Sequence, residues 1–212
     1  MRLARVMYPV LTLGPGRRLG IWLQGCLRAC PGCANPELWN MNAVPDVGIE
    51  VIKRTVQELT EREEYPPEGV TITGGEPFMQ SAELTELLEY LCTFTSDILL
   101  YTGYRREELT DHERILRMAA VVIDGAYIRE RNNGHPLKGS DNQRIYYRDA
   151  ETRQRYDTYI QDIRGRHLTQ TFALRQGKAA VGIHESDFEE SYRQRIKSLA
   201  ARRTALEEKG AE

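Results

Sequence analysis

The sequence predicts an α/β fold built on a parallel sheet. Three observations carry that reading. First, β-rich runs alternate with helical stretches from residue 19 to residue 123, the pattern of a parallel sheet with right-handed crossovers. Second, residues 119–123 are apolar throughout, as a strand covered on both faces would be. Third, a cysteine- or glycine-marked loop follows each of the four strands, so all four loops fall on the rim at the carboxyl ends, where ligands bind in such sheets.

The elements follow in order. Residues 19–24 read as the first strand and lead directly into the cysteine loop. Ile49, Ile52, Val56 and Leu59 recur at helical spacing and predict a helix over 47–63, which Pro66-Pro67 ends. Residues 69–73 form a second strand and run into Gly74-Gly75-Glu76-Pro77. Leu84, Leu87, Leu88 and Leu91 predict a helix over 81–94. A third strand over 98–101 ends at Thr102-Gly103, and a helix over 106–117 precedes the fourth strand, which ends at Asp124-Gly125. Residues 129–166 are polar and Arg-rich and read as irregular. Residues 169–175 and 179–183 read as a hairpin around Gln176-Gly177. Ser186 with Glu189 makes a capping box that opens a helix over about 187–209.

The chain has 212 residues, 41% hydrophobic and 28% charged, which suits one domain with an appendage. The expected division is a domain over 1–146 and a C-terminal extension over 147–212. No apolar run approaches the roughly 20 residues that span a bilayer. The N-terminus lacks the charged, apolar and small-residue series of a signal peptide, so the expected location is cytoplasmic. Charge is uneven: residues 46–113 carry 16 acids and 5 bases, whereas 128–178 carry 11 bases and 6 acids. These read as two solvated faces, or as a basic segment for an acidic or phosphorylated partner. No recognisable nucleic-acid module interleaves aromatic and basic residues.

Three of the four cysteines lie within eight positions, as Cys26-Leu-Arg-Ala-Cys30-Pro-Gly-Cys33. A secreted disulfide framework would spread them along the chain, so the cluster argues for a metal. Three thiolates in a compact loop suit a [4Fe–4S] cubane, whose ligands sit on separate irons. They leave the fourth iron open, as an open position marks a catalytic zinc site. A structural zinc site usually adds a second knuckle or nearby histidines, and here the other cysteine, Cys92, lies in an apolar helix. It reads as a buried small hydrophobe.

Cysteines spaced C-x-x-x-C-x-x-C, followed after the second strand by Gly74-Gly75-Glu76-Pro77, resemble the radical S-adenosylmethionine superfamily. The flanks Gly14-Pro15-Gly16, Trp22-Leu23-Gln24-Gly25 and Asn35-Pro36-Glu37-Leu38-Trp39 resemble the activating enzymes of glycyl-radical proteins. Tyr101-Thr102-Gly103-Tyr104, Val122-Ile123-Asp124-Gly125 and Gly139-Ser140-Asp141-Asn142-Gln143 are similar to the branch that activates anaerobic (class III) ribonucleotide reductase. The resemblance covers residues 5–146.

The resemblance implies a shortened, open (β/α) partial barrel. It implies that Cys26, Cys30 and Cys33 bind the cluster and that Gly74, Gly75 and Glu76 bind the methionine end of S-adenosylmethionine. Paired glycines admit backbone carbonyls to the ammonium, and Glu76 adds an acceptor. Gly32 and Ala34 are placed beside the cofactor. Thr102 and Asp124 face the same cavity, or serve as a turn residue and a cap. Asn142 and Gln143 bind cofactor or satisfy loop backbone. The implied activity is oxidoreductase chemistry under anaerobic conditions. An electron from a flavodoxin or ferredoxin cleaves S-adenosylmethionine to methionine and a 5′-deoxyadenosyl radical, which takes hydrogen from a glycine of a glycyl-radical enzyme. The alternatives are a radical enzyme acting on a peptide or small molecule and, in another class, a non-catalytic Fe–S or zinc protein.

Overall fold

The computed structural model describes residues 1–61, 64–163, 169–174 and 177–184. Six strands form one sheet, in chain order across it: β1 (Leu3–Val10), β2 (Arg18–Leu23), β3 (Gly69–Gly74), β4 (Ile98–Thr102), β5 (Val121–Asp124) and β6 (Arg144–Tyr147). The inner four are parallel, and β1 and β6 run antiparallel at the two edges. Helices α1 (Ile49–Glu61), α2 (Ser81–Leu91) and α3 (Glu113–Met118) make the three crossovers between the parallel strands.

Alternation along each strand sorts the core into two faces. Leu19, Ile21 and Leu23 of β2, Ile98 and Leu100 of β4 and Val122 of β5 pack with Ile52 and Val56 of α1 and with the four leucines of α2. The intervening residues point the other way, and they are also covered. Leu99, Val121 and Ile123 pack with Tyr156 of α4 (Ala150–Asp162). Trp22, Met7 and Val10 pack with Ala179 and Val181 of a separate hairpin, β7 (Gln170–Leu174) and β8 (Gly177–Val181). Cover on both faces explains the unbroken apolar sequence of β5.

Several expectations need correction. The described residues from 129 to 163 are not irregular throughout. They contain β6 and α4, the latter opened by Asp149, whose carboxylate accepts from the Thr152 amide at 2.7 Å. The apolar stripe of α4 is narrow, Tyr156 with the partly buried Tyr159 and Ile160, so its polar majority hid it. The helix expected over 106–117 is two short 3-10 turns followed by α3. Strand β1 precedes the first expected strand. Its Pro9 removes an amide, which an edge strand tolerates. Cys92 is not buried: it caps the C-terminus of α2 and is exposed. The hairpin forms with Leu174 opposite Gly177, and the helix expected over 187–209 lies outside the described residues. No helix among the described residues is long and apolar enough to cross a membrane.

At the amino ends of the strands Arg18 is fully buried. Its guanidinium donates to Thr71 Oγ1 at 2.7 Å, to Asp97 Oδ2 at 2.7 Å and to the Val70 carbonyl at 2.6 Å. Tyr156 donates to the other oxygen of Asp97 at 2.7 Å, and Arg155 pairs with the same carboxylate. A buried charge is tolerated only when its hydrogen-bonding groups are met in this way. The network also fastens α4 to the sheet.

Candidate active site

The opposite rim carries the cysteine loop. Gly25 leaves β2 with φ +103°, and its amide donates to the Leu38 carbonyl at 2.8 Å. The Cys26 amide donates to the Trp39 carbonyl at 3.0 Å. The segment 35–39 is therefore a strut under the loop. Buried Gln24 reinforces it by donating to the carbonyls of Glu37 and Asn40 at 3.1 and 2.9 Å. Cys30 to Cys33 form a tight turn closed by the Cys33 amide on the Cys30 carbonyl at 3.0 Å. Pro31 and Gly32 occupy its centre, with Gly32 at φ +74°, the residue types that a type II turn requires.

All three thiols are free and half-buried. The Asn35 amide donates to Cys33 Sγ at 3.4 Å. Burial pushes the Cys26 thiol up from its ordinary value, and the amides of Arg28 and Ala29 oppose that by donating towards it. Among the described residues no three His, Cys, Asp or Glu side chains are gathered around one point as a single ion would need. Three thiols on one wrapped loop, with amides directed at two of them, are of the donor type that an iron–sulfur cluster takes.

The glycine pair at the end of β3 is forced by backbone packing. A Cβ on Gly74 would stand 2.5 Å from the Leu23 amide nitrogen and carbonyl oxygen, and one on Gly75 would stand 2.2 Å from the Gly25 carbonyl oxygen. With no side chain between them, the two strand ends join. The Gly75 amide donates to Leu23 and the Glu76 amide to Gly25, both at 2.8 Å. Further along, Met79 Sδ accepts from the Leu27 amide at 3.3 Å. The Gly-Gly-Glu loop and the cysteine loop are thus one hydrogen-bonded unit.

Glu76 is 1% exposed. Burial raises its pKa, against the opposing effect of three donors and of the nearby Arg28 charge. Those donors are Thr102 Oγ1 and the Gly103 amide, each at 2.8 Å, and the Phe78 amide at 3.2 Å. Thr102 therefore orients Glu76, a role that neither of its expected readings described.

Asp124 is fully buried one strand further on. It accepts from Arg144 Nε at 2.9 Å and Nη2 at 2.5 Å, and from the Arg106 amide at 2.7 Å, with Arg105 at 3.5 Å. Its capacity is engaged by the chain itself. Gln143 is likewise a loop staple. Its oxygen accepts from the amides of Gly139 and Ser140 at 2.8 and 3.3 Å, and its nitrogen donates to the Gly125 carbonyl at 2.9 Å. Asn142 donates to the Ala126 carbonyl at 2.8 Å while its own Oδ1 is buried without a partner. Ala34 is exposed at the edge of the cysteine turn, and the Arg129 side chain lies beside Gly32.

One neighbour escaped the sequence reading. Arg28, between the first two cysteines, lays its guanidinium 4.8 Å from the ring centroid of Tyr104. Its Nε is buried without a hydrogen-bond partner, as is Trp39 Nε1 beside the loop. The one available signal was that Arg28 stands inside the ligand loop.

The rim joins a thiol loop, a buried carboxylate and unmet polar atoms, a donor set of the class of protein that carries an iron–sulfur cluster. The family model for a 4Fe–4S single cluster domain matches residues 12–146. The chain is similar to three proteins named anaerobic ribonucleoside-triphosphate reductase-activating protein. That of Enterobacteria phage T4 is 32% identical, over 63% of this chain and 85% of the phage protein. That of Vibrio cholerae is 30% identical, over 66% and 94%. That of Escherichia coli K12 is 24% identical, over 66% and 95%. The chain belongs to the 4Fe–4S single cluster domain family, in its activase branch of radical S-adenosylmethionine enzymes.

Proposed function

We propose that this protein activates a glycyl-radical enzyme, an anaerobic ribonucleotide reductase, by reductive cleavage of S-adenosylmethionine. The observation that carries the reading is the union of the cysteine loop and the Gly-Gly-Glu loop, through the Glu76 amide on the Gly25 carbonyl at 2.8 Å. When bound, a [4Fe–4S] cluster supplies the electron that breaks a carbon–sulfur bond of S-adenosylmethionine and yields a hydrogen-abstracting 5′-deoxyadenosyl group.

In this reading Cys26, Cys30 and Cys33 hold the cluster and leave one iron for the cosubstrate. Gly74, Gly75 and Glu76 bind the cosubstrate's ammonium, with Thr102 holding the Glu76 carboxylate in place. Gly32 and Ala34 lie beside the cosubstrate. Asp124 fastens the adjoining rim through Arg144 and Arg105. The sheet serves as a shortened, open (β/α) barrel whose carboxyl rim faces the partner. Residues 1–146 form the catalytic unit and 147–212 the extension. A flavodoxin or ferredoxin in the cytoplasm supplies the electron. No general base is needed, because the protein's task is positioning.

The test is anaerobic reconstitution followed by dithionite and S-adenosylmethionine. The expected products are methionine and 5′-deoxyadenosine, and a glycyl-radical signal in added anaerobic ribonucleotide reductase by paramagnetic resonance. Absence of 5′-deoxyadenosine overturns the radical reading. Cleavage without a glycyl radical in the reductase overturns the choice of partner.

A further inference from the structure

We infer that Arg28 is the anion anchor of the cosubstrate site, binding the carboxylate of S-adenosylmethionine beside the Glu76 position that takes its ammonium; this rests on the function proposed above. Two opposite charges, Glu76 and Arg28, both lie against Gly103 without forming an ion pair. Glu76 is occupied by Thr102, Gly103 and Phe78, and Arg28 acts on it only through space. Among the described residues no ion pair joins them.

Arg28 is fixed by other means. Its guanidinium carbon lies over the Tyr104 ring, 4.8 Å from the centroid, a cation–π contact that uses no N–H donor. Its Cδ lies against Gly103 so closely that a Cβ there would stand 2.4 Å away. Its Nε is shielded from water and lacks a partner, a state that costs free energy until an acceptor arrives.

Other cations of the rim are engaged elsewhere. Arg105 and Arg144 pair with Asp124, and Arg144 also with Glu107. Among the described residues, Arg28 is a cation whose charge acts on Glu76, and both side chains lie against Gly103. An α-amino acid carries its ammonium and carboxylate on one carbon, so a fixed anion and a fixed cation at neighbouring positions form its complement. A planar guanidinium is suited to grip the carboxylate. The anchor comes from inside the cluster loop, so cosubstrate binding and loop order are coupled through one residue.

The experiment compares full-length wild type, Arg28→Gln and Arg28→Lys, each reconstituted anaerobically and checked for iron and sulfide content. Equilibrium binding is measured for S-adenosylmethionine and for its decarboxylated analogue. Arg28→Gln is expected to weaken S-adenosylmethionine binding roughly 10- to 100-fold, the size of a lost charge-assisted hydrogen bond. The analogue should bind both proteins alike. Arg28→Lys should fall between them, because it keeps the charge and loses the fork. If Arg28→Gln does not take up the cluster, a reduced preference for the carboxylate in Arg28→Lys supports the inference, and an unchanged one overturns it. An equal loss for both ligands, or no loss, overturns it as well. If wild type binds no S-adenosylmethionine, the proposed function fails and the inference falls with it. If wild type binds it and the variants keep the wild-type preference, the inference alone fails.

Discussion

The amide of Glu76 donates to the carbonyl of Gly25 at 2.8 Å, one residue before the first cysteine of the loop. Two motifs separated by about fifty residues thereby share one backbone hydrogen bond. The contact requires that Gly75 have no side chain, because a Cβ there would lie 2.2 Å from the Gly25 oxygen.

Gly75→Ala is therefore expected to part the two strand ends. The obstacle is backbone, which cannot swing aside as a flexible side chain can. The expected outcome is loss of most of the iron after reconstitution, with near-native far-ultraviolet circular dichroism. Full iron content in the variant would refute the account of this contact.

Replacing Cys26, Cys30 or Cys33 singly by alanine is expected to abolish the cluster's visible absorbance and 5′-deoxyadenosine formation. Cys92→Ala is expected to leave both within about twofold of wild type, since a change at an exposed helix cap is mild. Its thiol stands on the surface. Loss of the cluster in the Cys92 variant would mean that the loop does not provide the whole ligand set.

Asp97→Ala tests the far rim. The substitution leaves Arg18 buried without its carboxylate, a change that typically costs about 3–5 kcal/mol. Urea denaturation followed by fluorescence should show a lower midpoint. A midpoint equal to that of wild type would show that the network contributes nothing.

Glu107 sets a pH dependence. Hydrogen bonds from Arg144 hold its carboxyl at about 2, below its ordinary 4.5. A depressed folded-state pKa stabilises the fold above the unfolded value and loses that contribution as pH falls. The window is thus from about 4.5 down through about 2. Glu107→Gln should flatten this part of the acid-unfolding curve. The difference should shrink at high salt, because the pair is exposed. Identical acid limbs in both proteins would remove Glu107 from the account.

The cysteine loop and most of the sheet were legible in the sequence because their signals are local. Cysteine spacing is read within eight residues, and the leucines of α2 within one helix. Thr102 and Arg28 were harder. Each acts on Glu76, which lies 26 and 48 positions away in the chain, and nothing in the local pattern of either residue names that partner. Helix α4 was missed for a related reason: it buries a narrow stripe, and the Arg18–Asp97 pair that its Tyr156 completes comes from two other elements.

By itself the sequence determined the chemistry on offer: three thiols in one loop, a paired-glycine turn ending in a carboxylate, and an alternation that places both on one rim. The tertiary structure alone decided how those groups are used. It joined the two loops through backbone contact, turned Asp124 towards Arg144, and left Arg28 beside Glu76 without an ion pair. It also laid α4 and the C-terminal hairpin over the second face of the sheet. The physical reason is that spacing along the chain fixes which groups are neighbours in a loop or helix. Burial and charge pairing depend on residues that only folding brings within reach.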